Sequence, residues 1–143
     1  MQEIADIVHT SNGHKVHYLL SVDDRAFENP FIKFLDLKIE CRKFPTSWEC
    51  FFILERKKRT GTVSYAITMK RTCGTYSSIN ATASFDIQNN TLRNGFFHQK
   101  HFGRKGMLTN HEIRDSNENA VYCEEMINLY DNDLLVHVNM FVY

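Results

Sequence analysis

The chain has 143 residues, 43% of them hydrophobic and 24% charged, and its Lys/Arg and Asp/Glu balance to a formal net charge of 0. That length fits one domain, able to bury roughly 68–70% of its unfolded surface without a disulfide or metal. The neutral balance argues against nucleic acid or a membrane surface as partner, and no run reaches the roughly 18 apolar residues that span a bilayer.

Residues 1–13 read as an N-terminal extension and 14–143 as the domain. Asn12-Gly13 marks a turn before a strand over 16–22. Leu35, Leu37, Ile39 and Cys41 alternate with Asp36, Lys38 and Glu40, so this strand has one wet face. Residues 48–54 are nearly all apolar, which predicts a strand covered on both sides. Arg56-Lys57-Lys58-Arg59 then reads as a solvated hairpin loop. Val63, Tyr65, Ile67 and Met69 share a face, as do Ile79, Ala81, Ala83, Phe85 and Ile87. Asn89-Asn90 is a turn signal.

The run 100–104, Lys-His-Phe-Gly-Arg, reads as a functional loop. Thr109-Asn110-His111-Glu112 after it fits a capping box opening a short helical turn. Residues 118–130 suit neither the helical nor the strand period. Asp131-Asn132-Asp133 is a turn, and Leu134, Val136, Val138, Met140 and Val142 alternate through the last strand. Seven or eight short strands with one or two helical turns predict an all-β, antiparallel β-sandwich, each of its two sheets having one exposed side.

Cys41, Cys50, Cys73 and Cys123 form no C-x-x-C pair. They read as free thiols in a reducing compartment, so a cytoplasmic or nuclear location is expected. The triplets Asn80-Ala81-Thr82 and Asn89-Asn90-Thr91 are formal glycosylation sequons, discounted because the N-terminus has no charged-then-apolar leader. His98 and His101 are three apart, a spacing that does not share a face in a strand or loop, so no metal and no cofactor is expected. No nucleophile elbow, phosphate loop or dinucleotide fingerprint occurs, and Asp23-Asp24 and Glu124-Glu125 read as surface charges. The expectation is a non-enzymatic domain, with a spatially assembled Cys–His pair as the enzymatic alternative.

Within the 100–104 run, Lys100 and Arg104 are donors for carbonyls, carboxylates or phosphates. Phe102 suits an apolar anchor, and Gly103 permits close backbone approach. The alternative is that Phe102 plugs one end of the sandwich and the cations keep a loop wet.

Six segments together resemble a known family. Trp48-Glu49-Cys50 is similar to a tryptophan-bearing strand, and the run ending at Cys73 to the long strand after it. Residues 80–89, NATASFDIQN, resemble a strand written A-x-F-x-F-x-I-x-N. Lys100-His101-Phe102-Gly103 stands where K-D-W-G occurs, residues 107–113 follow like a helical turn, and Tyr130-Asp131-Asn132-Asp133-Leu134 resembles L-x-x-D-x-L. In this order and spacing they resemble a MATH (meprin and TRAF homology) domain over roughly residues 14–143. The resemblance implies an eight-stranded sandwich that recognises other proteins by laying an extended peptide against a sheet edge. Some members serve as substrate adaptors of ubiquitin ligases.

The resemblance puts Lys100, His101, Phe102, Gly103, Arg104, Ala83 and Asn94 at the partner-binding groove, with the exposed face of 79–87 as its floor. His101 replaces an aspartate, Phe102 a tryptophan, Arg104 and Ala83 phenylalanines, and Asn94 a tyrosine. A groove with fewer aromatics and more positive charge implies an acidic or phosphorylated ligand. The competing expectation is a homo-oligomer or scaffold domain that assembles through a sheet edge or an exposed apolar patch.

Overall fold

The computed structural model describes residues 3–10, 12–22, 30–39, 46–57, 59, 62–74, 78–89, 96–121 and 134–143. Nine strands follow in chain order: β1 (Glu3–Thr10), β2 (Gly13–Val22), β3 (Phe31–Ile39), β4 (Thr46–Arg56), β5 (Val63–Gly74), β6 (Ile79–Asn89), β7 (Phe96–Met107), β8 (Glu112–Val121) and β9 (Leu134–Val142). They form two antiparallel sheets, β1-β2-β9-β6-β7 and β3-β4-β5-β8. The protein is an all-β antiparallel sandwich, and no helix occurs among the described residues.

The core follows from the alternation in the sequence. Along β9 every second residue from Leu134 to Val142 is buried. One row of directly opposed residues runs across the five-stranded sheet as Ile7, Val16, Met140, Ala83 and Phe102. Against it the four-stranded sheet sets Trp48, Phe52, Leu54, Tyr65, Ile67 and Met69, all buried. The two sheets meet through aromatic rings. Phe85 of β6 stacks on Tyr65 of β5 at 4.4 Å between centroids and meets Phe52 of β4 edge-on at 5.8 Å. Tyr18 of β2 meets Phe52 at 6.5 Å.

The polar ends of these rings have partners, as burial demands. The Tyr18 hydroxyl donates to Glu3 Oε1 at 2.7 Å, and the Tyr65 hydroxyl donates to Asp115. Burial, with help from those carboxylates, pushes both phenols well above their usual pKa. Glu3 also accepts from Lys33 Nζ at 3.0 Å, joining β1 of one sheet to β3 of the other. Arg71 is fully buried, and its Nη1 donates to the Met107 carbonyl at 2.6 Å.

Several expectations change. Residues 3–10, inside the expected extension, form edge strand β1 paired along its length with β2. Residues 100–104 are not a loop: they lie inside β7. The Thr109–Glu112 capping box does not open a helical turn either. Asn110 has a φ of 71°, which breaks any right-handed run. His111 N instead donates to the Leu108 carbonyl at 3.1 Å, Asn110 N to the Arg71 carbonyl at 2.7 Å, and Glu112 already belongs to β8. Residues 48–54 are not covered on both sides, because Phe51 and Ile53 remain half-buried on the outer face of β4. Of the basic run, Arg56 ends β4, Lys57 N donates to the Thr62 carbonyl at 2.8 Å and Lys57 Nζ pairs with Glu118 at 3.1 Å, while Lys58 lies outside the described residues.

The inter-sheet rings predict where stability resides. Phe85→Ala should lower the unfolding free energy by about 3–5 kcal/mol in urea titration. Phe34→Ala, at a ring 74% exposed, should change it by no more than about 0.5 kcal/mol in dilute solution.

Candidate functional site

Once Phe85, Ala83 and Ala81 face inward, period-two alternation turns Thr82, Ser84 and Asp86 to the outer face of the five-stranded sheet. Two rows of directly opposed residues build that face. One is Val8, Lys15, Phe141, Thr82 and Gly103; the other is Asp6, His17, Asn139, Ser84 and His101. Thr82, Ser84 and Gly103 are small, and Phe141, His17 and His101 flank them. The result is a groove of about 800 Å³, whose floor is completed by Val16, Met140, Ala83 and Phe102. That size falls in the range of ligand-binding clefts.

The groove surface is mostly apolar, with a few polar groups set into it. Asn139 Nδ2 donates to Ser84 Oγ at 3.3 Å. The next row along carries His137 and Asp86, directly opposed. The Gln88 amide nitrogen reaches His137 Nε2 at 3.0 Å, and the His17 and His137 rings meet edge-on at 5.7 Å. Burial holds the His137 imidazole below its usual pKa, with His17 adding to the effect. Asp86 is only 6% exposed, and its Oδ1 has no hydrogen-bond partner among the described residues. Burial pushes this carboxyl up, and nearby His101 pulls it partly back.

The expected site residues divide between two faces. His101 and Gly103 lie on the outer face, opposite Ser84 and Thr82. Lys100, Phe102 and Arg104 pair with Phe85, Ala83 and Ala81, so they lie on the core-facing side of β7 and do not stand together over an outer floor. Phe102 packs partly buried on the core there, while Lys100 and Arg104 stay exposed because β7 is an edge strand. Ala83 is buried in the core-facing row. Gly103 does sit where backbone approaches closely: an added Cβ would come within 2.6 Å of the Ala81 carbonyl oxygen. Asn94 lies outside the described residues.

Of the seven expected residues, Ala83, His101 and Phe102 line the groove. Sequence reasoning missed Asp6, Lys15, His17, Asn139 and Phe141, which arrive from β1, β2 and β9. The polar positions alternating through the last strand were the signal for Asn139.

The face is a hydrogen-bonding surface with charge of both signs. Cys50 is buried, which pushes its thiol up to about 12 and keeps it protonated at neutral pH. Among the described residues no three His, Cys, Asp or Glu side chains are grouped to hold a metal ion, and no helix is long and apolar enough to cross a membrane. The chain matches no protein-family model, and no curated protein matches it.

The buried ionisable groups predict opposite pH responses. His14 and His137 have lowered native pKa values, so the unfolded chain takes up protons first. Stability should therefore fall as pH drops below about 6.5, and His137→Gln should flatten that loss. Asp86 has a raised native pKa, so its carboxylate costs stability above that value. Asp86→Asn should stabilise by about 1 kcal/mol at neutral pH, with the gain shrinking toward about pH 4. Urea titrations across a pH series measure both.

Proposed function

We propose that this domain is a non-enzymatic recognition module that takes an extended peptide or partner surface across the outer face of its five-stranded sheet. The observation that carries the proposal is the groove of about 800 Å³ spanning β1, β2, β9, β6 and β7, bounded on one side by edge strand β7. An edge strand offers backbone donors and acceptors to an added strand, and an adjoining groove selects its side chains. Lys100, Arg104 and Lys105 stand exposed along that edge, and none has an ion-pair partner among the described residues. They favour an acidic or phosphorylated segment, whose carboxylates or phosphates would sit at the β7 rim while apolar groups reach Phe141 and Val8. The resemblance of residues 80–89 to a MATH-domain strand, and of residues 100–103 to that family's K-D-W-G motif, supports the same reading. In that setting the domain would act as a scaffold or substrate-recognition adaptor, of the ubiquitin-ligase type when joined to a suitable partner domain.

Calorimetric titration of arrayed acidic and phosphorylated extended peptides tests this. Thr82 is exposed on the groove floor, so Thr82→Trp fills the groove without entering the core. A peptide bound by the unsubstituted chain should lose at least about tenfold in affinity with Thr82→Trp, and again with Lys100→Ala/Arg104→Ala, each loss corresponding to about 1.4 kcal/mol. Unchanged affinity in both variants would refute the site.

A further inference from the structure

The second unpartnered surface is on the opposite side of the sandwich. β3 is the edge of the four-stranded sheet, with no neighbouring strand on its far side among the described residues. Its outer face carries Ile32 and Phe34, 51% and 74% exposed. They stand directly opposite Ile53 and Phe51 of β4, and the Phe34 and Phe51 rings lie 4.7 Å apart. Four apolar side chains thus form one solvent-facing patch beside a backbone edge that no described strand covers. Proteins usually guard such an edge with charge, proline or shortness, because it templates pairing with another chain. Here Pro30 guards the start of the strand, and exposed Asp36 and Lys38 guard its later part on the same outer face, which leaves 31–35 unguarded; the one charge in that stretch, Lys33, is already held by Glu3 at 3.0 Å.

We propose that β3 is a self-association edge: two copies of this chain pair their β3 strands antiparallel about a twofold axis at Lys33, making one continuous eight-stranded sheet. The segment 31–35, Phe-Ile-Lys-Phe-Leu, is self-complementary in that register alone. Ile32 falls opposite Phe34 of the second copy on the outer face, and Phe31 opposite Leu35 on the core-facing side, each pair occurring twice. Shifting the axis to Phe34 sets Ile32 against Asp36 and Lys33 against Leu35. Shifting it to Leu35 sets Phe34 against Asp36 and Ile32 against Lys38. Both shifts place charge on apolar side chains and lose cross-strand apolar pairs. At the Lys33 axis the two lysines face one another, but each brings its own Glu3, so the cluster holds two cations and two carboxylates and is neutral. A chain of net charge 0 adds no global repulsion.

The surface is independent of the groove, so the two fail separately. Sedimentation velocity of the full chain at tens of micromolar should show a dimer. Phe34→Asp should be monomeric, with an unchanged circular dichroism spectrum as the check on folding. Residues opposed across an antiparallel pair lie about 4.5–5.5 Å apart at Cα, within disulfide reach. Lys33→Cys should therefore cross-link two chains under mild oxidation above the background of the unsubstituted chain, and Leu35→Cys should not. A monomer, which would leave the edge to a strand of another protein, overturns the proposal. So does a dimer indifferent to Phe34→Asp, and so does cross-linking at position 35 in place of 33.

Discussion

The two sheets depend on where Phe85 sits. It comes from β6, inside the five-stranded sheet between β9 and β7, and it closes on Tyr65 and Phe52 of the opposing sheet. A strand has only two faces, so fixing one inward residue fixes all the others. With Phe85 inward, Ser84 and Asp86 must face out, and pairing carries that phase to His101 on β7 and to Asn139 on β9. The groove is thus the outward record of an inward packing decision. A slip of one residue along β6 would turn Phe85 and Ile87 out of the core and set Ser84 and Asp86 against its aromatic rings, and the lost apolar burial excludes it.

Strands with one dry and one wet face were legible from the amino acids alone. β5, β6 and β9 show their alternation plainly, because each sits within a sheet and packs its apolar side on the other. Edge strands were harder. In β7, Lys100 and Arg104 point to the core-facing side yet stay in solvent, which erases the alternation and makes a strand look like a loop. In β4 the opposite happened. Phe51 and Ile53 are apolar on an outer face, so the run looked covered on both sides although only one side is. The apparent helical turn at 109–112 failed for a local reason: the left-handed Asn110 and the Arg71 carbonyl claim the backbone that a helix would use.

The candidate site was legible only in part, because a groove across a sheet is assembled perpendicular to the chain. Its two rows draw residues from five strands, and each strand contributes residues two apart. A run of consecutive residues such as 100–104 is cut by the strand period into two sets that look in opposite directions. His101 and Gly103 join the groove face, whereas Lys100, Phe102 and Arg104 belong to the other side of the strand. Contiguity in sequence therefore overstated what one ligand could touch from above, and understated what Asp6, His17 and Asn139 add.

The two sheets also give the molecule a definite polarity. Its grooved face and its Ile32–Phe34 face point away from each other, separated by the shared core. Strand pairing about an axis perpendicular to a sheet keeps both copies the same way up. In a β3-paired dimer, both grooves would consequently open toward the same side, as two parallel troughs on one plane. Such a geometry favours ligands that are themselves repeated or fixed on a surface. The second engagement then occurs at high effective concentration, so two weak contacts act as one strong one.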